Sequence, residues 1–230
     1  MRLEIPIEYR KGFTKFLNCK INLSKRVFIP RIETEFWVKI AIKELPETRS
    51  LAILDMFAGS GCIGIAILKT CPEGFDRAQP RAFVRRVDFV DSDKKAIEQI
   101  KINLRLNHVP PNRYKIYKSN LFEKLKRKYD YIFANPPYVA RERIKEVESS
   151  VLKYEPKIAL LAGKKGLGYI KKFLKEAKNY LKENGKIFME FDPLQKEGIE
   201  DILNREKYKN FKFLKDQFKK YRFLKVEKNK

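Results

Sequence analysis

Short β-rich runs alternate with longer helical ones along most of this chain, and that alternation limits the fold more than any single residue does. Leu51–Asp55 (LAILD), Val87–Asp91 (VDFVD), Tyr131–Ala134 (YIFA) and Lys186–Glu190 (KIFME) are apolar, and each ends at a polar or turn-forming site. Such runs predict buried parallel strands. Between them, Cys62–Lys69, Lys94–Asn107 and Leu167–Glu183 have helical spacing, the last stopped by Asn184-Gly185. Tyr114–Tyr117 is a weaker strand. Strands alternating with helices argue for βαβ units and a doubly wound α/β sheet. After Gly198–Leu203, the runs Phe211–Leu214 and Tyr221–Val226 are close enough to pair antiparallel at one sheet edge. The stretch ahead of Glu33 reads as an extended arm or hairpin leading to a helix over Glu33–Leu45. Thr70–Arg86, with Pro72, Gly74 and Pro80, reads as a long surface excursion. No repeat or low-complexity linker marks an internal domain boundary.

Composition narrows the function classes. The 230 residues, 43% hydrophobic and 13% aromatic, supply a full core for one domain. With 52 Lys+Arg against 29 Asp+Glu, the net charge of +23 attracts polyanions, and RNA or a ribosome-associated protein fits better than a membrane. The densest stretches are Lys171–Lys182 and Lys215–Lys230, the latter with Phe218, Tyr221 and Phe223. Lysines that merely coat exposed helix faces are an equal reading. A single histidine, His108, argues against His-rich metal sites and His-centred triads. Cys19, Cys62 and Cys71 form no C-x-x-C pair, which argues against zinc or a disulfide framework and suits a reducing compartment. No apolar run approaches the ~18 residues of a membrane span. Met1–Arg10 carries Glu4 and Glu8 where a signal peptide would be apolar. The expectation is a soluble, cytoplasmic, basic protein without a metal.

Asp55-Met-Phe-Ala-Gly59-Ser-Gly61-Cys-Ile-Gly64 follows the first strong strand and opens a helix. Glycines let a backbone turn tightly and approach a ligand, and a helix N-terminus offers free N–H groups. Gly59-x-Gly61-x-x-Gly64 matches the dinucleotide fingerprint literally. Two acids tilt the reading elsewhere. Asp55 closes the strand where it can meet an ammonium group and would repel a pyrophosphate. Asp91 ends the next strand, where ribose hydroxyls are bonded. Adenosine with an amino-acid tail and no phosphate satisfies both, which describes S-adenosylmethionine. A glycine turn made only for close packing is the plain alternative. Asp93 reads as a helix N-cap, and Cys62 as a small buried residue.

Asn135-Pro136-Pro137-Tyr138 comes straight after the strand YIFA, at the carboxyl end of the sheet. The chemistry it suits is methylation of a planar NH2 group, whose delocalised lone pair makes a poor nucleophile. If the Asn135 side-chain oxygen and the Pro136 carbonyl both accept its hydrogens, the lone pair turns toward the sulfonium methyl. The prolines hold that backbone geometry, and Tyr138 can stack on the flat group. An ordinary turn is the alternative.

These residues together resemble the class I S-adenosylmethionine-dependent methyltransferases, and within them the bacterial protein-(glutamine-N5) methyltransferases that modify peptide chain release factors. The arm Tyr9-x-x-Gly12-x-x-x-Phe16, followed by Phe28-Ile-Pro-Arg-Ile-Glu-Thr-Glu35, is similar to the family's segment ahead of the cofactor domain, with Ile32 in place of a second proline. Leu54–Gly64 is similar to the cofactor loop, Phe89-Val-Asp91 to the ribose-binding strand end, and Asn135–Tyr138 matches the substrate motif residue for residue. Tyr154-Glu155-Pro156, Ala159-Leu160, Gly163, Gly166-Leu167 and Asn184-Gly185 before Phe188-Met-Glu190 follow the rest of its pattern. The resemblance implies a Rossmann-like fold: a seven-stranded, mostly parallel sheet with helices on both faces, an antiparallel C-terminal strand pair and a short N-terminal arm. Residues 1–45 would be the arm and its helix, and 46–230 the methyltransferase domain.

It further implies cofactor contacts from Asp55, Phe57, Ala58, Gly59, Gly61, Asp91, Ser92, Asn120, Leu121 and Asn135. The catalytic motif would be Asn135, Pro136, Pro137 and Tyr138, and substrate contacts would come from Arg31, Glu33, Asn135, Tyr138 and Glu155. Three departures stand out. Family members usually carry a helical domain ahead of the arm that helps recognise the release factor, and this chain starts at the arm, which leaves two readings: a partner subunit supplies that recognition, or the domain is dispensable. Asn120, in Ser119-Asn-Leu-Phe122, stands where an acid is expected near the adenine. The 70–86 excursion is longer than usual.

The activity implied is methyl transfer from S-adenosylmethionine to the side-chain amide of a glutamine in a release factor or another translation protein, leaving S-adenosylhomocysteine. One alternative is an N6-adenine RNA or DNA methyltransferase, which uses the same tetrapeptide and would draw on the charge. Another is a non-catalytic ribosome- or RNA-binding module that kept the fold, against which the intact tetrapeptide argues. Arg31 and Glu33 either shape a lid or serve as a salt bridge and a helix N-terminal charge. Glu155 either binds substrate or anchors a loop. His108 reads as a solvated residue past a helix end, and Trp37, with Phe36 and Ile40, as core.

Overall fold

The structure, a computed structural model, describes residues 4–46, 50–71 and 83–228. A short helix α1 (Ile7–Lys11) leads into a hairpin of β1 (Phe13–Phe16) and β2 (Cys19–Asn22), followed by α2 (Ile32–Lys43). Then come β3 (Ser50–Met56), α3 (Cys62–Thr70), β4 (Phe83–Asp91), α4 (Lys94–Leu106), β5 (Tyr114–Lys118) and β6 (Tyr129–Ala134). The chain continues through α5 (Ser149–Tyr154), α6 (Gly168–Tyr180), β7 (Leu181–Glu190), α7 (Lys196–Arg205), β8 (Asn210–Lys215) and β9 (Tyr221–Glu227). One sheet runs β5-β4-β3-β6-β7-β9-β8. Its first five strands are parallel and β9 is antiparallel to both neighbours, the doubly wound architecture expected. Most of the 70–86 excursion, residues 72–82, lies outside the described residues.

The sheet is apolar on both faces because helices cover both. Along β3, Leu51 and Ile53 pack with Ile65 and Ala66 of α3 and Ile100 of α4, while Ala52, Leu54 and Met56 pack with Ile170 and Phe173 of α6 and Ile199 of α7. Side chains alternate along a strand, so Asp55 falls on the α3 face. The lysines of 171–182 take the opposite role: Lys171, Lys172 and Lys175 are exposed, and Ile170, Phe173, Leu174 and Ala177 are buried. Among the described residues no helix is long and apolar enough to cross a membrane.

One expectation fails. The helix predicted to run to Glu183 ends at Tyr180, and Asn184-Gly185 lies inside β7 rather than at a helix stop. Asn184 has φ 58°, and the β6–β7 register jumps between Tyr129↔Leu181 and Tyr131↔Lys186. The pair makes a strand irregularity, where a Cβ on Gly185 would sit 2.9 Å from the Lys182 carbonyl. His108 is exposed past α4 with φ 54°, and Asp93 caps α4 by accepting from the Lys95 N–H, both as expected.

The arm is joined to the sheet domain by a polar seam. Gln99 and Asn103 on one face of α4, and Asn107 capping its C-terminal end, follow at four-residue spacing and are buried. Asn107 Oδ1 accepts from Lys20 N and its Nδ2 donates to Lys20 O; Asn103 Oδ1 accepts from Asn22 N, and Gln99 Oε1 from Lys25 N. These amides complete the open edge of β2 as a neighbouring strand would. Asn103 Nδ2 also donates to Ser60 O at 2.8 Å, tying the arm to the glycine loop. Replacing Asn103 with alanine leaves buried backbone groups unpaired, so Asn103→Ala lowers the unfolding free energy by about 1–3 kcal/mol, measurable by urea denaturation.

Candidate active site

The glycine loop leaves β3 and enters α3 at Gly61, whose φ of 78° no side chain favours. Gly59 (φ 52°) donates its N–H to Asp91 Oδ2 at 2.8 Å, which pins the loop to the end of β4. Gly64 packs α3 on β4: a Cβ there would lie 2.4 Å from Phe89. Its N–H donates to Asp55 Oδ2 at 2.9 Å, while Asp55 Oδ1 is buried without a hydrogen bond. Burial pushes the Asp55 carboxyl up to about 8, against the pull of the Gly64 N–H, and the Asp91 charge adds to the rise. Burial likewise raises Asp91, with the Asp93 and Gly59 N–H groups opposing. Two non-glycine residues in this region, Phe57 (φ 59°) and Leu121 (φ 49°), hold left-handed backbone, a cost that clusters at functional sites.

A cavity of about 380 Å³ opens at the carboxyl ends of β3, β4, β5 and β6. It brings together eleven of the residues predicted from sequence: Phe57, Gly59, Asp91, Ser92, Asn120 and Leu121 on one side, Asn135, Pro136, Pro137 and Tyr138 on the other, and Arg31 from the arm. Asp55, Ala58 and Gly61 do not line it. Asp55 and Ala58 are buried, Asp55 beneath α3 and Ala58 through its N–H to Val90 O. Asn120 lines the cavity with its amide nitrogen already donating to Glu123 Oε1 at 2.8 Å.

Two substrate contacts expected from sequence fall elsewhere. Glu155 is buried and accepts from the Ile29 N–H and from Arg31, so its carboxylate anchors the arm rather than lining the cavity. Glu33 sits in the first turn of α2, away from the cavity lining, where its charge complements the helix N-terminus. Arg31 does reach the cavity and stacks on Phe28 at 4.5 Å.

Asn135–Tyr138 is braced from three directions. Asn135 Nδ2 meets Thr34 Oγ1 at 3.3 Å, and Tyr138 donates to Glu190 Oε1 at 3.3 Å. Glu190 Oε2 accepts from Thr34 Oγ1 at 2.6 Å and from Trp37 Nε1 at 2.8 Å. Trp37 is core, as expected, and its indole N–H adds a polar contact that its neighbours in sequence did not reveal. Burial raises Glu190, and Thr34, Trp37, Arg222 and Tyr138 hold that rise back. On the far side, Gln195 Nε2 donates to Tyr138 O at 2.9 Å, and Gly166 (φ 68°) lies so close that a Cβ would sit 2.2 Å from that oxygen. Sequence reasoning missed Thr34, Glu190 and Gln195. The first two lay inside recognised strings, but their meeting joins residues 156 apart.

The cavity lining fits an adenosine bearing an amino-acid tail: an acid at the end of β4, a bare glycine turn at Gly59 and the Asn120 amide beside them. Among the described residues no group of three His, Cys, Asp or Glu is placed to hold a metal.

Comparison with known proteins agrees with this chemistry. The methyltransferase small domain family matches residues 35–154, just over half of the chain. The release factor glutamine methyltransferase of Streptococcus pneumoniae is 32% identical over 223 residues, covering 96% of this chain and 75% of the relative. That of Clostridium botulinum is 33% identical over 98% of this chain and 76% of its own length. A bifunctional methyltransferase of Rickettsia typhi is 33% identical over 84% of this chain and 39% of the relative. In fold, the ribosomal protein L11 methylase of Lactobacillus delbrueckii superposes with a TM-score of 0.61 at 18% identity, covering 90% of this chain and 83% of that one. A 16S rRNA N2 G1207 methyltransferase of T. thermophilus, solved with AdoMet and guanosine, superposes with a TM-score of 0.64 at 18% identity over 94% of this chain and 50% of its own. The chain therefore belongs to the S-adenosylmethionine-dependent class I methyltransferases of the small domain family, and to the branch related to the release factor glutamine methyltransferases.

Proposed function

We propose that this protein methylates the N5 amide nitrogen of a glutamine side chain, in a peptide chain release factor. The observation carrying this reading is the placement of Asn135–Tyr138 and the cofactor-side residues Gly59, Asp91 and Asn120 around one cavity. S-adenosylmethionine, when bound, supplies an electrophilic methyl group on sulfur. Asp91 would accept from its ribose hydroxyls and Asn120 would border its adenine, while Asp55 acts one layer back, holding the glycine turn through the Gly64 N–H. Asn135 Oδ1 and the Pro136 carbonyl accept the two hydrogens of the glutamine NH2, which turns the nitrogen lone pair out of conjugation and toward the methyl carbon. The oriented nitrogen would take the methyl group, the electron pair of the C–S bond would stay on sulfur, and the nitrogen would then lose one proton to water. Tyr138 covers the amide plane, and Glu155 holds the arm through Ile29 and Arg31, with Arg31 at the cavity. No general base is needed, because alignment and proximity carry the rate.

The test is transfer of labelled methyl to a purified release factor, with ribosomes, naked RNA and naked DNA as competing acceptors. Label is expected on a release-factor glutamine and absent with Asn135→Ala; label on adenine would transfer the assignment to nucleic acid.

The cofactor side has its own signature in pH. A carboxyl whose pKa is higher folded than unfolded binds its proton more tightly in the folded state, so stability falls as pH rises between the two values. For Asp55 that window runs from 3.8 to about 8. Without cofactor, Asp55→Asn is expected to unfold at higher temperature than wild type near pH 8, with the gap closing toward pH 4. Because Asp55 does not line the cavity and the asparagine amide oxygen can still accept from the Gly64 N–H, calorimetry should show cofactor affinity within about threefold of wild type.

A further inference from the structure

Asn135 can do its work only one way round. Its amide has an oxygen at one end and an NH2 at the other, similar in shape, and only the oxygen can accept a hydrogen from a substrate NH2. Turned over, it would set donor against donor.

Nothing in Asn135–Tyr138 itself decides between the two. Pro136 and Pro137 lack N–H groups, and Tyr138 directs its hydroxyl to Glu190. The Asn135 side chain has one hydrogen-bond contact among the described residues, Thr34 Oγ1 at 3.3 Å, a length typical of a site that tightens once substrate is seated. A hydroxyl can donate or accept, so the contact has a direction only if something else commits Thr34.

We propose that Trp37, Glu190 and Thr34 form a directional relay that turns the Asn135 oxygen toward the substrate. An indole N–H can only donate, so Trp37 makes Glu190 Oε2 an acceptor, whether or not the other carboxyl oxygen carries a proton. Thr34 Oγ1 lies 2.6 Å from that same oxygen and must give it its single hydrogen. The lone pairs of Thr34 are then all that is left to face Asn135, and they accept from Nδ2 while repelling Oδ1. Asn135 Oδ1 is left free for the substrate amide. Thr34 and Trp37 are three residues apart on α2 and share a face, and Glu190 is the last residue of β7. The arm's helix thus orients a residue that the sheet supplies, and these three are positioning residues with no contact to the reacting atoms.

The relay deepens the glutamine reading and rests on it only for what the freed oxygen meets, so its test has an arm that needs no acceptor. Thr34→Val keeps the shape and removes the hydroxyl; Thr34→Ser keeps the hydroxyl. In a 15N–1H spectrum the Asn135 side-chain amide pair is identified by its loss in Asn135→Ala. Thr34→Val is expected to shift this pair and speed its hydrogen exchange, while Thr34→Ser leaves it near the wild-type position. With release factor as acceptor, Thr34→Val should lower kcat by about 10- to 100-fold with KM and cofactor affinity within about twofold, and Thr34→Ser should restore most of the rate. Should the valine variant fail to fold, Thr34→Ala takes its place with the same expectations. Unchanged amide signals together with a wild-type kcat in the hydroxyl-less variant would overturn the relay. If the wild type labels no glutamine, the function reading fails, and the amide spectrum alone still decides for or against the relay.

Discussion

Burying a carboxylate costs several kcal/mol unless donors surround it, and Glu190, about 1% exposed, meets that demand with groups from separate parts of the chain. Thr34 and Trp37 come from the arm's helix, Tyr138 from the loop after β6, and Arg222 on β9 supports the charge. Removing any one element would leave the acid short of partners. The arm is therefore held to the sheet domain beside Asn135–Tyr138 by one acid, and beside the glycine loop by the amide seam of Gln99, Asn103 and Asn107. Glu155 adds a third attachment through Ile29 and Arg31. The cavity lies among these three attachments, which is how a short arm comes to shape a site whose chemistry sits on the sheet.

The cofactor half follows a different logic. Asp55 keeps its place by strand alternation, which turns it toward α3, and by the bond from Gly64. One of its oxygens stays unsatisfied in a dry environment, an arrangement that stability alone would disfavour. The left-handed backbone at Phe57 and Leu121 adds to this local cost. Across the cavity, Asn135–Tyr138 is held by Thr34, Glu190 and Gln195. A glycine loop with strained neighbours facing two prolines of fixed φ suits the proposed methyl transfer, governed by alignment rather than by proton transfer.

The charge divides among several physical roles. Lys115 and Lys118 on β5, and Lys212 and Lys215 on β8, stand on the two edge strands, where charge discourages edge-to-edge association. The α6 lysines coat a solvent face. At the β8–β9 turn, Asp216 accepts from the Phe218 and Lys220 N–H groups and from Arg222, leaving Phe218 exposed beside Lys219 and Lys220. Net charge counted along the chain did not separate these roles, because each depends on which side of an element a lysine faces.

What the sequence determined by itself is what local pattern can encode. Strand and helix order follow from hydrophobic period, the turn into α3 from Gly59 and Gly61, and the Asn135–Tyr138 slot from the backbone limits of two prolines. Helix ends were less legible: Asn184-Gly185 has the composition of a helix stop, and only pairing of β7 with β6 made it an irregularity in a strand. The tertiary structure alone decided which acids face the cavity and which serve as anchors. Glu155 and Glu33 share a charge with Asp91, yet Asp91 lines the site, Glu155 holds the arm and Glu33 serves a helix end. It also decided the company of Asn135, since Thr34, Trp37 and Glu190 become neighbours only when α2 docks against the end of β7. A hydrogen bond reads distance and direction in space, and a linear string carries neither for residues more than a hundred positions apart.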